Sequence, residues 1–95
     1  MLQAIQTKYI GPRNVRGSRI VAWCDARRIV RGYDDSKNAG DNHTQVAAEL
    51  AHSLDWDGSW HGGGLPSGGY CFVQVDRHHP DAAFTVIRSF AKATA

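Results

Sequence analysis

Ile20-Val21-Ala22-Trp23-Cys24-Asp25-Ala26-Arg27-Arg28-Ile29-Val30-Arg31-Gly32-Tyr33 is the stretch that decides the fold. Two short apolar runs rich in β-branched and aromatic residues flank Asp25-Ala26-Arg27. Strands of that composition, separated by so few residues, can only return antiparallel, so the spacing predicts a β-hairpin. Upstream, residues 2–10 alternate loosely between apolar and polar types and predict an earlier strand. Gly11-Pro12 and Asn14 punctuate the loop over 11–18 that joins it to the hairpin.

Downstream, the polar stretch Asp34 to Asp41 predicts a loop, and a helix is expected from Asn42 to about Asp55. Asn42 is a favourable N-cap because its side-chain oxygen accepts from free N–H groups of the first turn, and Gln45 follows at capping-box spacing. Val46, Ala47, Leu50, Ala51 and Leu54 fall on one helical face. Residues 58–69 are glycine-rich and predict a loop with unusual backbone demands. Tyr70-Cys71-Phe72-Val73-Gln74-Val75 predicts a strand with Cys71, Val73 and Val75 on one face. Pro80 suits the first turn of a C-terminal helix over 81–93, with Ala83, Val86, Ile87, Phe90 and Ala91 as its apolar stripe.

The expected architecture is therefore α+β. It has an antiparallel sheet of about four strands with one or two helices packed on one face, in the order β-β-β-α-β-α. Ninety-five residues argue for one domain, 1–95. Ile20, Ala22, Cys24, Ile29, Val30, Leu50, Leu54, Val73 and Val75 are the expected core.

The charge is unevenly spread. Residues 1–31 carry seven bases and one acid, a net of +6, and residues 32–95 carry four bases and eight acids, a net of −4. Lys8, Arg13, Arg16, Arg19, Arg27, Arg28 and Arg31 thus form an arginine-rich 8–31 segment suited to an anionic partner, because guanidinium groups make forked contacts to phosphates and carboxylates. Tyr9, Trp23 and Tyr33 lie among them, with Trp23 expected in the core. Trp60 in the glycine-rich segment is an expected protein-contact anchor.

Catalysis and metal binding find little support. The glycine-rich segment leads into a strand and lacks the Gly-Lys-Ser/Thr of a phosphate-binding loop. Ser59, Ser67 and Cys71 sit in no nucleophile motif. His43, His52, His61, His78 and His79 have no zinc-ligand spacing and read as surface histidines. No enzyme activity, metal or cofactor is expected. Met1 leads into a mixed polar segment, and no run approaches the ~18 apolar residues of a membrane helix. A cytoplasmic protein with reduced thiols at Cys24 and Cys71 is expected.

Three stretches carry a resemblance. They are Ala4-Ile5-Gln6-Thr7-Lys8-Tyr9 with Gly11-Pro12 and Arg16-Gly17-Ser18-Arg19-Ile20, then Asn42-His43 with Ala47-Ala48-Glu49-Leu50, and last Gly62-Gly63-Gly64-Leu65-Pro66-Ser67-Gly68-Gly69-Tyr70. In that order they resemble a group of small proteins encoded by bacteriophages and other mobile elements, over about residues 3–75. The resemblance transfers no catalytic residue. It implies an accessory protein that docks on a host protein or nucleoprotein complex that processes nucleic acid and inhibits it, as anti-CRISPR proteins do. Direct DNA or RNA binding through the 8–31 segment is the alternative. The binding residues expected are Lys8, Tyr9, Arg13, Arg16, Arg19, Arg27, Arg28, Arg31 and Trp60.

Overall fold

The computed structural model describes residues 4–12, 17–76 and 82–86. Six strands and one helix follow in the order β1 (Ile5–Ile10), β2 (Arg19–Trp23), β3 (Arg28–Gly32), α1 (Ala39–Ser53), β4 (Gly58–Gly64), β5 (Tyr70–Asp76) and β6 (Phe84–Val86). They form one sheet with spatial order β3-β2-β1-β5-β4-β6, every neighbouring pair antiparallel. The α+β class, the antiparallel sheet and the β2–β3 hairpin match expectation. The strand number does not, because two further strands lie where a loop and a helix were expected.

The helix begins one turn earlier than its apolar stripe suggests. Asn38 is the N-cap, with extended backbone and a side-chain oxygen that accepts from the Asp41 N–H at 2.8 Å. Asn42 is instead buried inside the first turn. Its Oδ1 accepts from the Asp34 N–H at 2.8 Å, and its Nδ2 donates to the Asp34 and Asn38 carbonyls at 3.0 Å. One amide therefore folds the loop before α1 back onto the helix, which an exposed cap could not do. At the other end Asp55 takes a left-handed φ of 54°. The Trp56 N–H reaches the Ala51 carbonyl at 3.0 Å and the Asp55 N–H reaches that of His52 at 3.1 Å. This is a Schellman termination with aspartate in the usual glycine position.

α1 lies across one sheet face. Val46, Ala47, Leu50 and Ala51 pack on Ile5, Ile20, Ala22, Trp60, Phe72 and Val86. Ring contacts continue the core in a file. Trp56 stacks on Trp60 at 6.2 Å, Trp60 on Phe84 at 5.8 Å, Phe84 meets Phe72 at 5.9 Å, and Phe72 stacks on Tyr70 at 6.5 Å.

This file explains the glycine-rich segment, which is strand β4 over 58–64 and not a loop. Gly62 pairs with Phe72 across the ladder, and a Cβ at Gly62 would lie 2.4 Å from the Phe72 ring. Glycine there makes room for the aromatic layer. Trp60, expected as an exposed anchor, is fully buried in the same layer. The expected helix over 81–93 is contradicted in its first half. Phe84–Val86 pair with Gly58–Trp60, and the Ala83 N–H donates to the Trp60 carbonyl at 2.8 Å. The free edge of β4 supplies bonds that outweigh the helical spacing; residues 81 and 87–93 lie outside the described set.

Val73 and Val75 are the other correction to the expected core. They are 44% and 56% exposed, while Phe72 faces α1. Ile20, Ala22 and Leu50 are buried as expected, and Cys24, Ile29 and Leu54 pack partly against the core. Val30, also expected there, is half-buried on the opposite side of the sheet and does not join it.

Gly62→Ala is expected to destabilise the fold by about 1–3 kcal/mol through overpacking against Phe72. Gly63→Ala, with nothing near its added Cβ, should change stability by no more than about 0.5 kcal/mol. Urea denaturation of the two variants beside the parent checks the contrast.

Candidate docking surface

Register and pleat assign each strand residue to a face. Arg31 reaches Glu49 of α1, Nε to Oε2 at 3.0 Å, which marks its side as the helix face. Residues of opposite parity stand on the second face. Three rows cross β1, β2 and β3 there: Gln6–Trp23–Arg28, Lys8–Val21–Val30 and Ile10–Arg19–Gly32. Cys71 extends the first row, because it pairs with Gln6, and Val73 and Val75 follow it along β5. Among the described residues no helix covers this face, although Val21 at its centre is buried and Arg19, Trp23 and Val30 are half-buried.

The expected binding residues divide between environments. Lys8, Arg19 and Arg28 share the second face, Lys8 and Arg28 exposed and Arg19 half-buried. None of the three makes an ion pair among the described residues. Arg31 is on the opposite face, engaged by Glu49 and bonded through Nη1 to the Val30 carbonyl at 2.9 Å. Arg27 leaves the β2–β3 turn to donate to the Ser53 carbonyl at 3.1 Å, where the last carbonyls of α1 favour a cation. Tyr9 is also on the helix face, set edge-on to Tyr33 at 5.3 Å and bonded to the Ser18 hydroxyl at 2.8 Å. Trp60 belongs to the core, so it presents no surface to a partner. Arg13 and Arg16 lie outside the described residues. Trp23, expected in the core, is half-buried on the second face, where Ala4, Gln6, Cys24 and Asp25 join it around a hollow of about 320 Å³.

Most of the described acids lie elsewhere, although Asp25 in the β2–β3 turn lines the Trp23 hollow. Asp34, Asp35, Asp41, Glu49, Asp55 and Asp57 all belong to α1 or its flanking segments. The Ser36 hydroxyl and N–H both donate to Asp34, holding its carboxyl below the usual range. No Asp or Glu from β1, β2 or β3 stands on the second face. Carboxylates therefore concentrate around α1, while Lys8, Arg19 and Arg28 give the second face an excess of bases over its one neighbouring acid, Asp25.

A buried polar cluster fixes the helix to the sheet. Thr7 Oγ1 lies 2.7 Å from His43 Nδ1, and the Tyr70 ring lies 4.4 Å from the imidazole. Thr7 and His43 are 1% and 3% exposed. His43 was expected at the surface. Its place three and four residues before Val46 and Ala47, on the apolar stripe, is the signal that marks it as inward-facing. A hydroxyl bonded to an imidazole is also the geometry of an activated nucleophile. Here the burial of Thr7 keeps substrate away, so the pair works as a clasp. Burial lowers the His43 pKa, because the imidazolium loses its hydration.

Among the described residues no three His, Cys, Asp or Glu side chains gather to hold a metal ion, and no helix is long and apolar enough to cross a membrane. No family model, curated protein or solved structure matches this chain.

With the folded-state pKa of His43 depressed, its contribution is fully present above the unfolded value of about 6.5 and declines as pH falls below it. The unfolded chain takes up a proton that the native state refuses. The decline has a limiting slope of about 1.4 kcal/mol per pH unit down to the folded pKa. His43→Gln retains a hydrogen-bonding group and cannot titrate, so it should remove this component. Chemical denaturation of both proteins between neutral and mildly acidic pH measures it.

Proposed function

We propose that this chain is a non-enzymatic binding protein that docks through its second sheet face onto an acidic surface of a protein partner. The carrying observation is that Lys8, Arg19 and Arg28 stand on that face with no carboxylate from their own strands, and that the same face carries the exposed Val73 and Val75 on β5. Aliphatic side chains supply desolvation, and unpaired cations supply steering and register. The resemblance to mobile-element proteins supports the finer reading, an accessory protein that occupies and inhibits a host nucleic-acid-processing complex in the host cytoplasm.

Direct binding of DNA or RNA is the second reading, favoured by the same three cations and by Trp23. It ranks lower because the most exposed apolar groups of the face are valines, which give bases no ring to stack on.

The test captures partners from a bacterial lysate with the parent protein and with the Lys8→Glu/Arg28→Glu variant side by side. The expected result is a partner held by the parent, lost by the charge reversal, and weakened by Val73→Ser/Val75→Ser even at high salt. No difference between parent and reversal sinks the reading. Titration with mixed single-stranded DNA and RNA at low salt should show no binding. Tight binding whose logarithm falls by about two per tenfold rise in salt, as three neutralised phosphates require, would establish the second reading instead.

A further inference from the structure

Strand β3 ends the sheet, and its outer edge has no strand beside it among the described residues. Its backbone polarity follows from two bonds. The Tyr33 N–H donates to the Ser18 carbonyl, and the Cys24 N–H donates to the Arg27 carbonyl, each at 2.9 Å. Antiparallel ladders alternate with a period of two, so Arg27, Ile29, Arg31 and Tyr33 turn their backbone groups toward β2. Arg28, Val30 and Gly32 turn theirs outward. The Val30 carbonyl confirms the parity, because the Arg31 side chain reaches round to donate to it. Native sheets guard such an edge with proline, a bulge, a covering element, shortness or charged side chains, and on β3 the guards are Arg28 and Arg31, which repel a basic strand and admit an acidic one. β3 contains no proline, and its pairing with β2 runs without a register shift.

The flanks of this edge differ in chemistry. On the second face stands Arg28, exposed and without an ion pair among the described residues. On the helix face a hollow of about 250 Å³ opens beside the strand, lined by Arg31, Gly32, Asp34, Gln45 and Glu49 among others. Asp34 and Glu49 make the hollow hostile to a carboxylate, while the Gln45 amide suits a neutral hydrogen-bonding group.

We propose that β3 receives an extended segment of the protein partner as an added strand. Acidic side chains of that segment face Arg28, and hydroxyl or amide side chains face the hollow. The inference rests on the docking reading above and gives it a mode, in which main-chain bonds supply affinity and alternate side chains supply specificity. A second copy of this chain is the poorer occupant, because pairing β3 with itself brings Arg27, Arg28 and Arg31 of both copies to one seam.

The test titrates the isotope-labelled chain with a short peptide alternating threonine and glutamate and follows amide hydrogen exchange by NMR. The expected result is new protection at Arg28, Val30 and Gly32, with Ile29 and Arg31 unchanged. N-methylating the glutamates or the threonines blocks opposite edges of the peptide. One of these two peptides should therefore lose about tenfold or more in affinity and the other should bind as before. Arg28→Glu should weaken the parent peptide by a similar factor, and a threonine–lysine peptide should not bind. Peptide binding without protection at the three amides overturns strand addition and leaves the sheet-face reading standing. So does failure of the peptide to bind at millimolar concentration while the lysate partner is still lost on charge reversal. A stable homodimer whose seam protects the three amides also overturns the proposal. Loss of both the peptide and the charge-dependent partner overturns the docking reading itself.

Discussion

Thr7 is where the two halves of the sheet and the helix meet. Its backbone pairs with Ala22 on β2 and with Tyr70 on β5, and its hydroxyl bonds His43 of α1. The approach is close enough that a Cβ at Gly69 would lie 2.4 Å from the Thr7 carbonyl oxygen. The β1–β5 seam joins β1–β3 to β4–β6, and among the described residues it has three register pairs. A buried hydroxyl and imidazole that satisfy one another fix the seam against α1 at a defined register, which apolar packing alone specifies less sharply.

This anchoring separates the two sheet faces. α1 carries its acids to the helix side, and its bonds to the β2–β3 turn through Arg27 and to β3 through Arg31 draw two arginines there as well. Lys8, Arg19 and Arg28 remain opposite. The second face is therefore basic because Lys8, Arg19 and Arg28, three of the five described bases of the 8–31 segment, share one register parity. Fields from such a one-sided arrangement extend beyond contact distance and orient an approaching anionic surface.

Much of the framework was legible in the chain. The β2–β3 hairpin follows from two apolar runs and a short turn, and α1 follows from the stripe ending at Leu54. The misread segments share a cause. Gly58–Gly64 looks like a loop because glycine has low strand propensity, yet Phe72 across the ladder requires a missing side chain at Gly62. In β5 both alternate sets are apolar enough to be inward, and only the aromatic file selects Tyr70 and Phe72 over Val73 and Val75. Phe84–Val86 has helical spacing but meets a free strand edge. In the candidate site, the excess of positive charge was readable and its division between faces was not.

By itself the chain's order of residues determined the α+β class, the hairpin, the helix and the concentration of arginine before residue 32, since these depend on local periodicity and composition. Tertiary structure alone decided which residues lie inside and which arginines stand together. Those outcomes depend on strand register, and register is set by long-range contacts between Thr7, His43, Phe72 and Gly62 that no local window contains.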